Sequence, residues 1–170
     1  MRKYVYSAAL AASMLTLNAC EKNASANDVT AAFGGAPPVE EAASVADCAA
    51  ANLSLVSEGD GTFAFVNNGK SACSMQGYPG VAPLNSGKAP MTSVRLQRDE
   101  ATKPKVVVLE PKGKAVFMLA SDKSYGACTT APAVEASLPG QKNQKFTANG
   151  EVKICGDYVY LTALQAPAKG

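Results

Sequence analysis

The chain has 170 residues, of which 47% are apolar and 18% are charged, so it can bury one folded core. Its formal net charge of +2 argues against a strongly basic nucleic-acid-binding protein, and no nucleic-acid partner is expected. Histidine is absent from the whole chain. This removes the commonest general base and every zinc site that uses histidine.

The N-terminus carries the pattern of an export signal. Arg2 and Lys3 are followed by an uncharged, mostly apolar run over residues 4–17. Its length of about 14 residues is below the ~20 that a membrane-spanning helix needs. The run ends at Leu17-Asn18-Ala19-Cys20, which resembles the lipobox of bacterial lipoproteins.

The resemblance implies cleavage before Cys20 and lipidation of its thiol, so the first expected partner is the membrane. A thiol is the nucleophile that this acyl transfer requires, and two or three acyl chains anchor a protein firmly. Glu21 rather than Asp follows the cysteine. The lipobox resemblance implies a place in the cell envelope. In lipoproteins of bacteria with two membranes, an Asp after the cysteine favours retention at the inner membrane. Glu21 therefore implies the outer membrane, facing the periplasm, if the source has two membranes. An ordinary signal peptide and an uncleaved membrane anchor are the alternatives.

Three segments are predicted: a signal peptide at 1–19, a lipidated cysteine with a flexible tether at 20–47, and a folded domain at 48–170. Residues 21–47 contain five acids and one base, a net charge of −4, and few large apolar side chains. Such a segment buries too little surface to offset its chain entropy. The domain carries 13 bases and 9 acids, a net charge of +4.

The domain is predicted to be an all-β, antiparallel, immunoglobulin-like sandwich of about eight or nine short strands. Short apolar or alternating runs are separated by turn residues, and no 3.6-residue period is sustained. Asn149-Gly150 is the strongest hairpin signal, because both residues accept a positive φ. The predicted strands cover residues 53–56, 62–66, 94–98, 105–109, 115–119, 134–138, 144–147, 152–154 and 158–161.

Four cysteines remain after Cys20, and an even number in an exported domain favours disulfides. Three pairings are open. The sequential pairing, Cys48–Cys73 with Cys128–Cys155, is favoured because each bond closes a short, strand-rich loop. No two of these cysteines lie closer than 25 residues apart, which disfavours a four-cysteine zinc site. No metal and no cofactor are expected.

A more specific pattern surrounds the second of these cysteines. Asn67-x-Gly69, the run from Cys73 through Gly77-Tyr78-Pro79-Gly80, and Leu109-x-Pro111-x-Gly113 together resemble the bacterial domain of unknown function 4232. The resemblance implies an immunoglobulin-like sandwich, often carried by exported lipoproteins, and it implies no activity. The family usually has Pro and Gly adjacent before the strand at residue 115. Lys112 separates them here, so a wider turn is expected.

No catalytic residue is predicted. Residues 121–124, Ser-Asp-Lys-Ser, contain the two residue types of a Ser-Lys dyad, but a hydrophilic turn explains them better. The one surface feature that stands out is a candidate contact patch for anionic partners. It consists of Lys103, Lys105, Lys112 and Lys114, with Tyr78 as a candidate anchor. For the lysines, the favoured alternative is that they protect an exposed sheet edge from pairing with another chain. For Tyr78, the favoured alternative is that it belongs to a turn and covers the nearby disulfide.

The sequence therefore predicts a membrane-anchored envelope lipoprotein with a non-enzymatic interaction module, whose partner is an unidentified envelope protein or polymer. The alternative function is a small inhibitor or decoy of an incoming hydrolase. That function would require a protruding loop with an aromatic or basic tip, for which Tyr78 and Tyr125 are the candidates.

Overall fold

The structure is a computed structural model that describes residues 45–122, 124 and 126–168. The predicted signal peptide, the lipobox and the tether up to residue 44 lie outside the described residues, as do Lys123 and Tyr125. One 3₁₀ turn, η1, covers Ala50–Asn52. The ten strands are β1 (Leu53–Gly59), β2 (Thr62–Asn67), β3 (Cys73–Met75), β4 (Gly80–Leu84), β5 (Arg95–Arg98), β6 (Val107–Leu109), β7 (Lys114–Ala120), β8 (Cys128–Ser137), β9 (Lys145–Cys155) and β10 (Tyr158–Leu161).

The strands form three sheets, which confirms the all-β prediction. Five strands pair in the order β1-β2-β7-β10-β5, three in the order β4-β8-β9, and two as β3-β6. β9 contacts β1, β7 and β10, so the three-stranded sheet packs across the five-stranded one. Among the described residues, no helix is long and apolar enough to cross a membrane.

The core is centred on three phenylalanines of the five-stranded sheet. Phe63 and Phe65 are two positions apart on β2 and therefore point to the same face. Phe63 is paired with Phe117 of β7, and their ring centroids are 5.8 Å apart. Phe146 of β9 meets Phe65 edge-on at 5.4 Å. Each fully buried phenylalanine contributes about 2–3 kcal/mol through removal of its surface from water.

The expected hairpin at Asn149-Gly150 is wrong, because both residues lie inside β9. The register with β8 slips here, so that Gly150 and Glu151 together oppose the single residue Pro132. This is a β-bulge. Proline suits the site because it has no N–H to contribute to the ladder. The chain instead reverses between β8 and β9 after Leu138, where Gly140 has a φ of +75°.

One strand pair departs from the antiparallel prediction. β5 lies at the edge of the five-stranded sheet and runs parallel to β10, with Arg95 opposite Tyr158 and Arg98 opposite Leu161. A parallel pair needs a long connection, and here it is the 59-residue segment 99–157, which includes four other strands. Local sequence patterns do not encode such a distant pairing.

Candidate functional site

The four lysines of the predicted contact patch lie before and after β6 and do not flank a hairpin. Lys103 and Lys105 precede β6, while Lys112 and Lys114 follow it. β6 pairs with β3, and β7 pairs with β2 and β10, so β6 and β7 are not neighbours in the described sheets. Lys114 is also engaged, because its Nζ lies 2.8 Å from Glu58 Oε1.

Two of these lysines share a cleft of about 600 Å³. Lys103 and Lys105 line one part of it, and Leu164 and Gln165 of the C-terminal segment line another. Gln165 is fixed there by two backbone hydrogen bonds to Val116, of 2.8 and 2.9 Å. The lysine pair at this cleft is what the structure retains of the predicted patch.

Tyr78 supports the fold and does not project from it. It is half-buried, and its hydroxyl lies 2.8 Å from the backbone carbonyl oxygens of both Asp99 and Thr102. The guanidinium of Arg98 covers its ring, 5.0 Å from the centroid. Since one ring face and the hydroxyl are occupied within the domain, Tyr78 is not placed as a free contact residue.

A different surface displays exposed aromatic side chains, and we call it the tyrosine–arginine surface. It comprises Arg95, Gln97, Met118, Tyr158 and Tyr160. In β10, Tyr158 and Tyr160 are 38% and 40% exposed, whereas Val159 and Leu161 between and after them are buried.

The strand register places the other members beside the tyrosines. Arg95 and Gln97 of β5 are directly opposite Tyr158 and Tyr160, and paired residues share a face of the sheet. Arg95 Nη1 donates a hydrogen bond of 3.3 Å to Tyr158 Oη. Met118 of β7 is 41% exposed and lies two positions before Ala120, which pairs with Tyr160. Met118 therefore lies on the same face of the sheet as Tyr160. The sequence predicted these strands but not their pairing, so it missed this surface.

The short polar run after β7 is occupied with backbone contacts. The Ser121 hydroxyl donates to the carbonyl oxygen of Tyr158 at 3.2 Å, and the Ser124 N–H donates to Asp122 Oδ1 at 2.9 Å. The hydrogen bonds from Ser124 lower the pKa of the Asp122 carboxyl. These contacts are those of a turn. Lys123 lies outside the described residues.

The cysteines of the domain form two disulfides, Cys48–Cys73 and Cys128–Cys155. This is the sequential pairing, which the spacing of the cysteines favours. Within residues 45–122, 124 and 126–168, no three His, Cys, Asp or Glu side chains are grouped as metal ligands would be.

Comparison with known families matches residues 43–165 to the family described as Domain of unknown function (DUF4232). The chain belongs to this family. No curated protein and no solved structure matches it. The resemblance expected from the cysteine, glycine and Tyr-Pro pattern is thereby confirmed.

The residues of the Asn67-x-Gly69 and Leu109-x-Pro111-x-Gly113 parts of the DUF4232 pattern are joined by hydrogen bonds to the buried residue Asn67. The amide of Asn67 donates to the carbonyl oxygen of Leu109 at 3.0 Å, and its Oδ1 accepts the N–H of Gly69 at 2.9 Å. The Asn67 backbone donates to Gly113 and accepts from Lys112. Lys112 has a φ of +67°, so the extra residue before Gly113 takes a left-handed conformation. This part of the motif is structural.

The Gly-Tyr-Pro-Gly part of the motif brings the backbone close to β8. Gly77 has a φ of +117°, which favours glycine. Gly80 pairs with Ser137, and a β-carbon on Gly80 would collide with the Ser137 hydroxyl. Tyr78, between them, holds residues 99–102 through its hydroxyl. The motif therefore explains how β4 is placed.

Proposed function

We propose that this DUF4232 protein is a lipid-anchored component of the bacterial envelope and that its sandwich is a non-enzymatic interaction module. The lipobox pattern ending at Cys20, outside the described residues, supports the anchor. The two disulfides support export, because such bonds persist in oxidising compartments.

The observation that carries the interaction role is the tyrosine–arginine surface. Tyrosine and arginine are enriched among the residues that dominate binding energies, because they offer a large contact area together with hydrogen-bonding groups. Here two tyrosines and Arg95 lie on adjacent strands of one sheet, with Met118 alongside. We propose this surface, rather than the dispersed lysines, as the contact region for an envelope protein or polymer.

The alternative of a hydrolase inhibitor gains no support from Tyr78, whose hydroxyl and ring contact the domain itself. Its other candidate tip, Tyr125, lies outside the described residues. The proposal of a non-enzymatic module is supported by the hydroxyl of Ser121 and the carboxylate of Asp122, which both bond to backbone groups.

Site-specific photo-crosslinking in intact cells tests the proposed surface. A photoreactive phenylalanine analogue replaces Tyr160 in one variant and Thr147 in another. Thr147 is exposed on β9 of the other sheet, which makes it a matched control. We expect a discrete crosslinked product from position 160 and little from position 147.

A second pair of variants controls for nonspecific capture. Tyr158→Ala with Tyr160→Ala removes both aromatic side chains, whereas Thr129→Ala with Thr147→Ala changes two exposed positions of the other sheet. The proposal requires that only the tyrosine pair reduces crosslinking from an analogue at Met118. Equal crosslinking from positions 160 and 147, or equal effects of the two variant pairs, would overturn it.

A further inference from the structure

The two disulfides differ sharply in their surroundings. Cys128, the first residue of β8, is exposed, and its partner Cys155, the last residue of β9, is only 3% exposed. In the other disulfide, Cys48 is 4% exposed and Cys73 is half-buried against the core. Cys128 is therefore the most exposed of these four cysteines, and we expect an external thiol to attack its sulfur first.

The exposed disulfide also faces open space. Cys128 and Cys155 line a cleft of about 970 Å³ at one end of the sandwich. The turn between β1 and β2, the end of β7, and Glu151 and Lys153 of β9 form the rest of its wall. Its volume is in the range of clefts that bind small molecules, so there is room for a small thiol beside the bond.

Cleavage of this bond would leave the strands joined. Cys128 and Cys155 are directly opposite each other at the end of the β8–β9 ladder. That ladder continues through eight further residue pairs, up to Ser137 with Lys145. The β8–β9 ladder therefore holds the two strands together without the bond. The segment before η1 is attached to β3 by less: Cys48–Cys73, one bridge between Asp47 and Ser74, and the hydrogen bonds around it.

We propose that Cys128–Cys155 is a site of thiol–disulfide exchange for a dithiol oxidoreductase of the envelope, while Cys48–Cys73 is a permanent structural bond. This inference rests on the proposed envelope location, but it does not require that the tyrosine–arginine surface bind a partner. It assigns the two disulfides of one domain to different chemical roles.

The exchange step balances with the dithiol as the reductant. Its thiolate attacks the sulfur of Cys128, forming a mixed disulfide and expelling Cys155 as a thiolate that takes up a proton. The second thiol of the reductant then loses its proton and attacks the reductant sulfur that is bonded to Cys128. This releases Cys128 as a thiolate, which takes up a proton. Two electrons pass to the protein, and the reductant leaves as a disulfide.

Graded reduction of the folded, oxidised protein tests the assignment. Because the charged residues of the cleft wall are of both signs, Asp60 and Glu151 against Lys153, neutral dithiothreitol is the appropriate probe. At timed intervals the reaction is stopped by denaturation in excess alkylating agent, and the four tryptic peptides that contain the domain cysteines are quantified. We expect the Cys128 and Cys155 peptides to be alkylated at least tenfold faster than those of Cys48 and Cys73.

A dithiol protein whose resolving cysteine is replaced by serine identifies the attacked sulfur. It should be trapped on Cys128 in wild type and in the Cys48→Ala, Cys73→Ala variant, which keeps only the exposed bond. Comparable reduction rates of the two disulfides, faster reduction of Cys48–Cys73, or trapping on Cys155 would overturn the proposal.

Discussion

The side-chain amide of Asn67 donates a hydrogen bond of 3.0 Å to the backbone carbonyl of Leu109, 42 positions away. Asn67 ends β2 in the five-stranded sheet and is 1% exposed, while Leu109 ends β6 in the two-stranded sheet and is fully buried. The same amide donates to Ser71 at 2.9 Å. One buried side chain thus joins two sheets that share no backbone ladder.

Asn67→Ala should therefore destabilise the domain strongly. The change leaves the buried Leu109 carbonyl and the Gly69 N–H without their partner, a loss we expect to cost about 2–4 kcal/mol. The neighbouring Asn68→Ala is the control, because Asn68 is exposed and bonds only the Ser54 hydroxyl through its side chain. Urea unfolding of both oxidised variants measures the difference. Similar midpoints for the two would contradict the role assigned to Asn67.

Gly150→Ala should also be destabilising, by about 1–3 kcal/mol through overpacking. A β-carbon at this bulge would lie 2.7 Å from Ser57 Cβ and 3.0 Å from Phe63 Cε1, where β9 packs on β1 and β2. Thermal unfolding of Gly150→Ala with and without Ser57→Gly gives the check, since removing the Ser57 side chain should recover part of the loss. Full stability of the single variant would contradict this packing.

The Asn149-Gly150 pair shows where sequence reasoning succeeds and where it stops. Local runs gave the existence of most strands, because alternation reflects which face is buried. The Asn149-Gly150 dipeptide predicts a turn because both residues accept a positive φ. Glycine is needed here for another reason: a β-carbon would collide with Ser57, which is 93 positions away in the chain. The tyrosine–arginine surface was missed for a similar reason: it depends on the parallel pairing of β5 with β10.

Tyr78→Phe isolates the hydroxyl that holds residues 99–102. The change retains the ring under Arg98 but removes the donor to the carbonyl oxygens of Asp99 and Thr102. We expect a loss of about 1 kcal/mol and faster amide hydrogen exchange at residues 99–102. Tyr160→Phe, at an exposed position of β10, should change neither quantity. Unchanged exchange at residues 99–102 in Tyr78→Phe would rule out this anchoring role.

Cys20→Ser tests the anchor separately from the domain. Serine lacks the nucleophilic thiolate that accepts the diacylglyceryl group, so the variant should remain an uncleaved precursor or appear in soluble form. Detergent-phase partitioning of cell extracts measures the result. Cys128→Ser serves as a control, because it changes a cysteine of the domain and should still partition with the detergent. Partitioning of Cys20→Ser like wild type would mean that residues 1–19 act as an ordinary anchor.

Removing each disulfide as a pair should reveal that the two bonds stabilise the domain unequally. Their sequence separations are 25 and 27 residues, so loop-closure entropy assigns them similar contributions, within the 2–5 kcal/mol typical of small exported domains. The folded states differ, however. Cys48 is buried, and its N–H donates to the carbonyl oxygen of Ser74 at 2.9 Å. Cys128 is exposed, and its strand stays paired without the bond.

Cys48→Ala with Cys73→Ala should therefore lower the free energy of unfolding by about 1 kcal/mol more than Cys128→Ala with Cys155→Ala. Both cysteines of the first pair are at least partly buried, whereas Cys128 of the second pair is exposed, so removing the first pair leaves the larger cavity. Cys48→Ala alone should be worse than its double variant, since the freed Cys73 thiol can attack the remaining disulfide. Guanidinium unfolding without reductant compares all three variants. A larger loss from the Cys128–Cys155 pair would show that the exposed bond, rather than the buried one, is the main covalent support of the sandwich.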